Sequence, residues 1–67
     1  MKTRQILNCW PTIKAMSDEL GMEYERVRAW HSRERIAQDA WPAIITSKTG
    51  RRNRLTAGKL LDAYQKS

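Results

Sequence analysis

The sequence predicts an all-α fold, a compact five-helix domain, and three observations carry that expectation. Apolar residues recur at the spacing of a buried helical face, as in Ile13, Met16, Ser17 and Leu20. Breakers (Trp10-Pro11, Gly21, Gly50) and caps (Thr12, Asp39, Thr56) divide the chain into helix-length pieces. No alternating strand pattern, internal repeat or low-complexity run interrupts them.

The first helix is expected within Met1 to Cys9, with Thr3 as its cap and Ile6 and Leu7 facing inward. Trp10-Pro11 ends it, because a residue before proline is pushed out of the α region. Thr12 caps a second helix that reaches Leu20, with Lys14 and Asp18 pairing on its solvent side. Gly21 supplies the left-handed backbone at which helices stop. The third helix begins near Glu23 and runs to Ser32, with Val27 and Trp30 turned back onto the second. A fourth starts at Gln38 or Asp39, takes Asp39 as its cap, places Trp41-Pro42 in its first turn, and stops at Gly50. Its inward face is Trp41, Ile44 and Ile45. Thr56 caps the fifth, where Leu55 and Leu60 form a hydrophobic staple and Leu61 and Tyr64 continue the inward face. Asp62 and Lys66 form a surface pair there. With Trp10 and Ile36, these inward residues make up the expected core.

Sixty-seven residues make one domain, and a chain this size buries only roughly 60% of the surface it exposes unfolded. Cys9 is the single cysteine, so no disulfide framework compensates, and oligomerisation is expected. Thirteen Lys and Arg against seven Asp and Glu give a formal charge of +6, which favours a phosphate-rich partner through release of condensed counterions. No apolar run approaches the roughly eighteen residues that span a bilayer, and the expected location is cytoplasmic, on the nucleoid of a bacterial host.

Two helices crossing through a short turn with glycine form the helix-turn-helix arrangement, whose second helix enters the DNA major groove. With Val27 and Trp30 inward, the helical step turns Glu25, Arg28, Ala29 and Ser32 outward as the candidate base readers. Arg28 can donate two hydrogen bonds to the O6 and N7 of a guanine. Ala29 lets the helix settle deeply, and Glu25 accepts from a cytosine amino group or repels the wrong site. Tyr24, Arg26, Arg33 and Arg35 are candidates for the phosphate backbone, as are Arg51, Arg52 and Arg54 in a basic turn. The competing readings are structural: Arg28 pairs with Glu25, and the arginines form a solvated face. Trp10, Trp30 and Trp41 fall at inward positions, which marks them as core rather than as a base-stacking platform.

Enzymatic chemistry finds little footing. His31 is the only histidine and has no second ligand at metal spacing; Asp18 and Glu19 point apart around a helix. No glycine-rich phosphate loop appears, and no cofactor is expected.

Ser17, Leu20-Gly21-Met22, Val27, Trp30, Arg33, Ile36 and Trp41 together resemble the small Cro-type regulators of the lambda-repressor-like helix-turn-helix superfamily, especially phage and prophage proteins. The likeness covers roughly Ile6 to Ile45. It departs at Ser17, where alanine is commonest, at Glu23, where serine or threonine usually caps, and at Ala37, where proline is frequent. The resemblance implies a transcriptional repressor binding a double-stranded DNA operator as a homodimer. Two other functions compete: an excisionase- or MerR-like architectural protein, which needs a β-hairpin wing, and a phage protein-interaction module on the same helical fold.

Overall fold

A computed structural model of the chain describes residues 2–66, with only the backbone of residue 66. The elements run α1 (Thr3–Leu7), α2 (Ile13–Leu20), α3 (Tyr24–Arg33), a single 3-10 turn (Gln38–Ala40), α4 (Trp41–Thr46), α5 (Lys48–Arg52) and α6 (Ala57–Lys66). The fold is all-α as expected, with six α-helices rather than five among the described residues. No strand occurs among them, so the hairpin wing of the architectural alternative is not formed by residues 2–66.

Several boundaries follow from local chemistry as read from the sequence. Thr12 Oγ1 accepts from the Ala15 N–H at 3.0 Å and starts α2. Gly21 ends it at φ 67°, and the Met22 N–H returns to the Ser17 carbonyl at 3.0 Å, closing a Schellman turn. Lys14 and Asp18 pair at 3.4 Å along the exposed side of α2. Thr56 Oγ1 accepts from the Lys59 N–H at 3.2 Å, and Leu55 and Leu60 are both buried as a staple across that cap.

Other boundaries differ from expectation. Lys2, not Thr3, caps α1: its N–H donates to Gln5 Oε1 at 2.8 Å, while Thr3 is buried inside the helix, which ends at Leu7. The expected fourth helix is broken at Ser47 instead of ending at Gly50. Ser47 is extended (φ −66°, ψ 157°), its Oγ donates to the Ile44 carbonyl at 2.7 Å and accepts from the Gly50 N–H at 2.9 Å, and α5 begins there. Gly50 is buried within α5, where a Cβ would run into the Ile44 carbonyl oxygen and come within 2.8 Å of Ser47 Oγ. Arg51 and Arg52 consequently lie on a helix and only Arg54 on the turn after it, at φ 55°. Asp39 makes no capping bond, because its carboxylate is engaged by Arg26.

The buried core contains Ile6, Leu7, Trp10, Met16, Val27, Trp30, Ile36, Ile44, Leu55 and Leu60, all expected, together with Ala40 and Ala63, which were not. Ile13, Leu20, Trp41 and Ile45 pack against it half-buried, as does Cys9. Tyr64 is half-buried too, its ring edge-on to Trp41 at 5.8 Å. Leu61 is 44% exposed, contrary to expectation. The inward direction of α6 is set by Leu60 and the small Ala63, which border the same narrow gap as Thr3 and Ile6 of α1, and Leu61 is thereby turned away. The expected Asp62–Lys66 pair lies outside the described residues because of the Lys66 side chain. No helix among the described residues is long and apolar enough to cross a membrane.

Candidate nucleic-acid interface

Helix α3 packs its Val27 and Trp30 stripe inward against α2, and its remaining circumference carries the residues expected to act. Glu25, Arg28 and Ser32 are exposed on the side away from the core. Arg28 Nη1 stands 3.3 Å from Glu25 Oε2, so the pairing weighed as the structural alternative is present. An exposed pair one helical turn apart contributes only a few tenths of a kcal/mol, roughly 0.2–0.5, and gives way to a stronger acceptor. Ala29 is half-buried, not wholly outward, and forms part of a cleft wall. Tyr24, 47% exposed, stands at the helix start.

The start of α3 has no side-chain cap. Glu23 takes the capping position with extended backbone (φ −65°, ψ 140°), yet its carboxylate accepts no first-turn N–H. The helix ends instead on Glu34 in the left-handed conformation (φ 53°), with the Arg35 N–H returning to the Trp30 carbonyl at 3.1 Å. A non-glycine residue there is strained. The Glu34 carboxylate is held by Arg4 of α1, which ties the end of α3 to the first helix.

The backbone candidates divide into two sets. Arg26 donates to Asp39 Oδ2 at 2.5 Å and lies 5.9 Å from the centroid of the Trp30 ring. Arg35 stacks over Tyr64 with its guanidinium carbon 4.2 Å from the ring centre. These two and Arg33 surround a cleft of about 390 Å³ between the end of α3, the segment after it and α6. Lys48, Arg51, Arg52 and Arg54 are all exposed, and among the described residues no ion pair engages them. They lie on or just after α5, which is fastened to α2 by Glu19: Oε2 accepts from the Thr49 N–H at 3.0 Å and Oε1 from the Thr49 hydroxyl at 2.7 Å.

Three groups are displaced from their ordinary ionisation. Partial burial pushes the Glu19 carboxyl up, but the Thr49 bonds and weaker pulls from Trp10 and Ser47 outweigh it and hold it below the usual range. The buried Trp10 N–H contributes to that pull without reaching hydrogen-bond geometry. Burial lowers the His31 imidazole, whose Nε2 is buried without a hydrogen-bond partner. Burial raises the Cys9 thiol, with Lys59 opposing, and its Sγ lies 3.5 Å from the Gln5 carbonyl oxygen. Among the described residues no group of three or more His, Cys, Asp and Glu is placed to hold a metal ion.

Sequence spacing located the exposed face of α3 but missed two members of its surroundings. Tyr64 was expected only as core, and Asp39 as a cap. Asp39 meets Arg26 of α3, and Tyr64 meets Arg35 just beyond the helix, across folds of the chain that no local pattern encodes. Comparisons with protein-family models, with characterised proteins and with solved structures return no match.

Proposed function

We propose that the protein is a sequence-specific double-stranded DNA-binding regulator, acting as a Cro-like repressor, in which α2 and α3 serve as a helix-turn-helix and α3 lies in the major groove. The observation that carries this reading is the division of α3: Val27 and Trp30 are sealed against the core while Glu25, Arg28 and Ser32 stand on an uncovered face. A helix so mounted can enter a groove about 12 Å wide without disturbing the core behind it. Arg28 then exchanges Glu25 for a guanine edge, and Glu25, released, discriminates among the neighbouring bases. The unpaired cations of residues 48–54 supply sequence-independent attraction. A homodimer on a two-fold site is part of the proposal, and the exposed Leu61 on α6, one turn before Tyr64, supports a contact on that side.

Selection from random duplexes, followed by gel-shift titration across salt, tests it. With roughly four to six phosphates neutralised, log affinity should fall against log salt with a slope of about −4 to −5. A palindromic selected site would support the dimer, and its half-site spacing would measure the separation of the two α3 helices. No binding to any duplex at low salt would overturn the proposal.

A further inference from the structure

The cleft beside α3 has a composition that the duplex-reading face does not explain. Three arginines, Arg26, Arg33 and Arg35, share its lining with Trp30 and Tyr64, and among the described residues no acidic side chain lines it. Asp39, at its margin, answers Arg26 alone. Its volume of about 390 Å³ exceeds what a bare ion needs and lies at the lower end of the roughly 300–1,000 Å³ of organic-ligand sites. Two of its arginines are also positioned before any ligand arrives. The Arg35 guanidinium carbon lies over the Tyr64 ring, 4.2 Å from its centre, and Arg26 is held between Asp39 and the Trp30 ring. A guanidinium stacked on an aromatic face keeps its N–H groups at the rim free to donate in its own plane, so less freedom is lost when a planar fork meets an oxyanion.

We infer that this cleft is a phosphate site, built for a phosphate group carrying a sugar or similar organic body, with Arg33 and Arg35 as its donors and Tyr64 as the residue that positions Arg35. The body of the ligand packs on the apolar wall made by Ala29, Ile36 and Ala37. Two sources offer that chemistry: a backbone phosphate of duplex DNA tracking along the flank of α3, or a free nucleotide. The first rests on the DNA-binding reading above, whereas the second does not. Occupancy of either kind touches Ala29 and so reports directly on the reading helix.

The test has two arms on the full chain. In the first, duplex binding is measured across salt for the wild type, Arg35→Gln, Tyr64→Leu and Tyr64→Phe. A backbone phosphate in the cleft makes the salt slope shallower by about one for Arg35→Gln and weakens binding several-fold for Tyr64→Leu, with wild-type behaviour regained in Tyr64→Phe, which keeps the ring. In the second, adenosine monophosphate and inorganic phosphate are titrated while the Trp30 indole resonance is followed by NMR. A free-nucleotide site shifts Trp30 with adenosine monophosphate more strongly than with phosphate, and Arg35→Gln abolishes the shift. Success of the second arm with no duplex binding at all would sustain the cleft and defeat the DNA reading. Wild-type salt slopes in Arg35→Gln and Tyr64→Leu, together with an unmoved Trp30 resonance, would overturn the cleft whatever the fate of the DNA reading. Far-UV circular dichroism of each variant separates these results from unfolding.

Discussion

The joint between α2 and α3 and the joint between α4 and α5 both involve a glycine, and the two glycines serve opposite needs. At Gly21 the backbone is left-handed at φ 67°, and a Cβ there would meet nothing within 4 Å. Space is free and conformation is demanded. At Gly50 the backbone is ordinary helix, but a Cβ would collide with the Ile44 carbonyl and crowd Ser47. Here conformation is free and space is demanded. One residue type, read in the sequence as a stop signal twice, thus ends a helix once and lets two helices touch once.

Substitutions at the two joints should separate these causes. The largest effect belongs to Gly50→Ala, where the obstacle is backbone and cannot rotate away: about 3 kcal/mol of stability should be lost, at the upper end of overpacking costs. Urea unfolding measures it, and a loss under about 1 kcal/mol would mean that α4 and α5 separate easily. Gly21→Ala should cost about 1–2 kcal/mol through the left-handed backbone alone, and Gly21→Asn less, because asparagine tolerates that region. Equal losses for the two substitutions would point to crowding at Gly21 after all. Ser47→Ala, which removes both the cap of α5 and the bond to Ile44, should cost about 1 kcal/mol in the same assay.

A smaller effect is expected from Glu19, the clamp between α2 and α5. Its native carboxyl is held below the ordinary value, so the native state binds fewer protons than the unfolded one. The stability it contributes is complete above about pH 4.5, the unfolded value, and disappears as pH falls through the lower native value. The melting temperature of the wild type should therefore exceed that of Glu19→Gln at neutral pH, and the gap should close on acidification below pH 4.5. A gap that is constant with pH would assign the contribution of Glu19 to packing.

On the face of α3 proposed to read DNA, Arg28→Ala should relax preference at one base pair by about 1–3 kcal/mol, while Arg51→Ala should weaken all duplexes alike and make the salt slope shallower by about one. Random-site selection on both variants checks this contrast. An unchanged preference in Arg28→Ala would remove that arginine from the groove.

What the sequence made legible was local. The cap at Thr12, the stop at Gly21, the staple of Leu55 and Leu60 and the buried pair Val27 and Trp30 each depend on residues a turn or two apart, and the structure has all of them. What escaped depends on distant approach. Gly50 is a contact point only because α5 folds back on Ile44, and Ser47 carried the true break. Leu61 lost its inward place to Ala63 because α6 approaches α1 closely, which no periodicity within α6 expresses. Of the candidate site, the exposure of Glu25, Arg28 and Ser32 was readable from the helical step, whereas the stacking of Arg35 on Tyr64 joins opposite ends of the second half of the chain.

That close approach of α6 to α1 has a consequence for biosynthesis. Ile6 and Leu7 are made early, but the Leu60 and Ala63 of α6 that help cover this region are made after every other core residue. Until α6 is synthesised, the Thr3 and Ile6 side of α1 lacks the Leu60 and Ala63 that border it in the finished fold. A chain shortened before α6 should therefore expose that side of α1 and aggregate more readily than the full chain, as light scattering on the two would show.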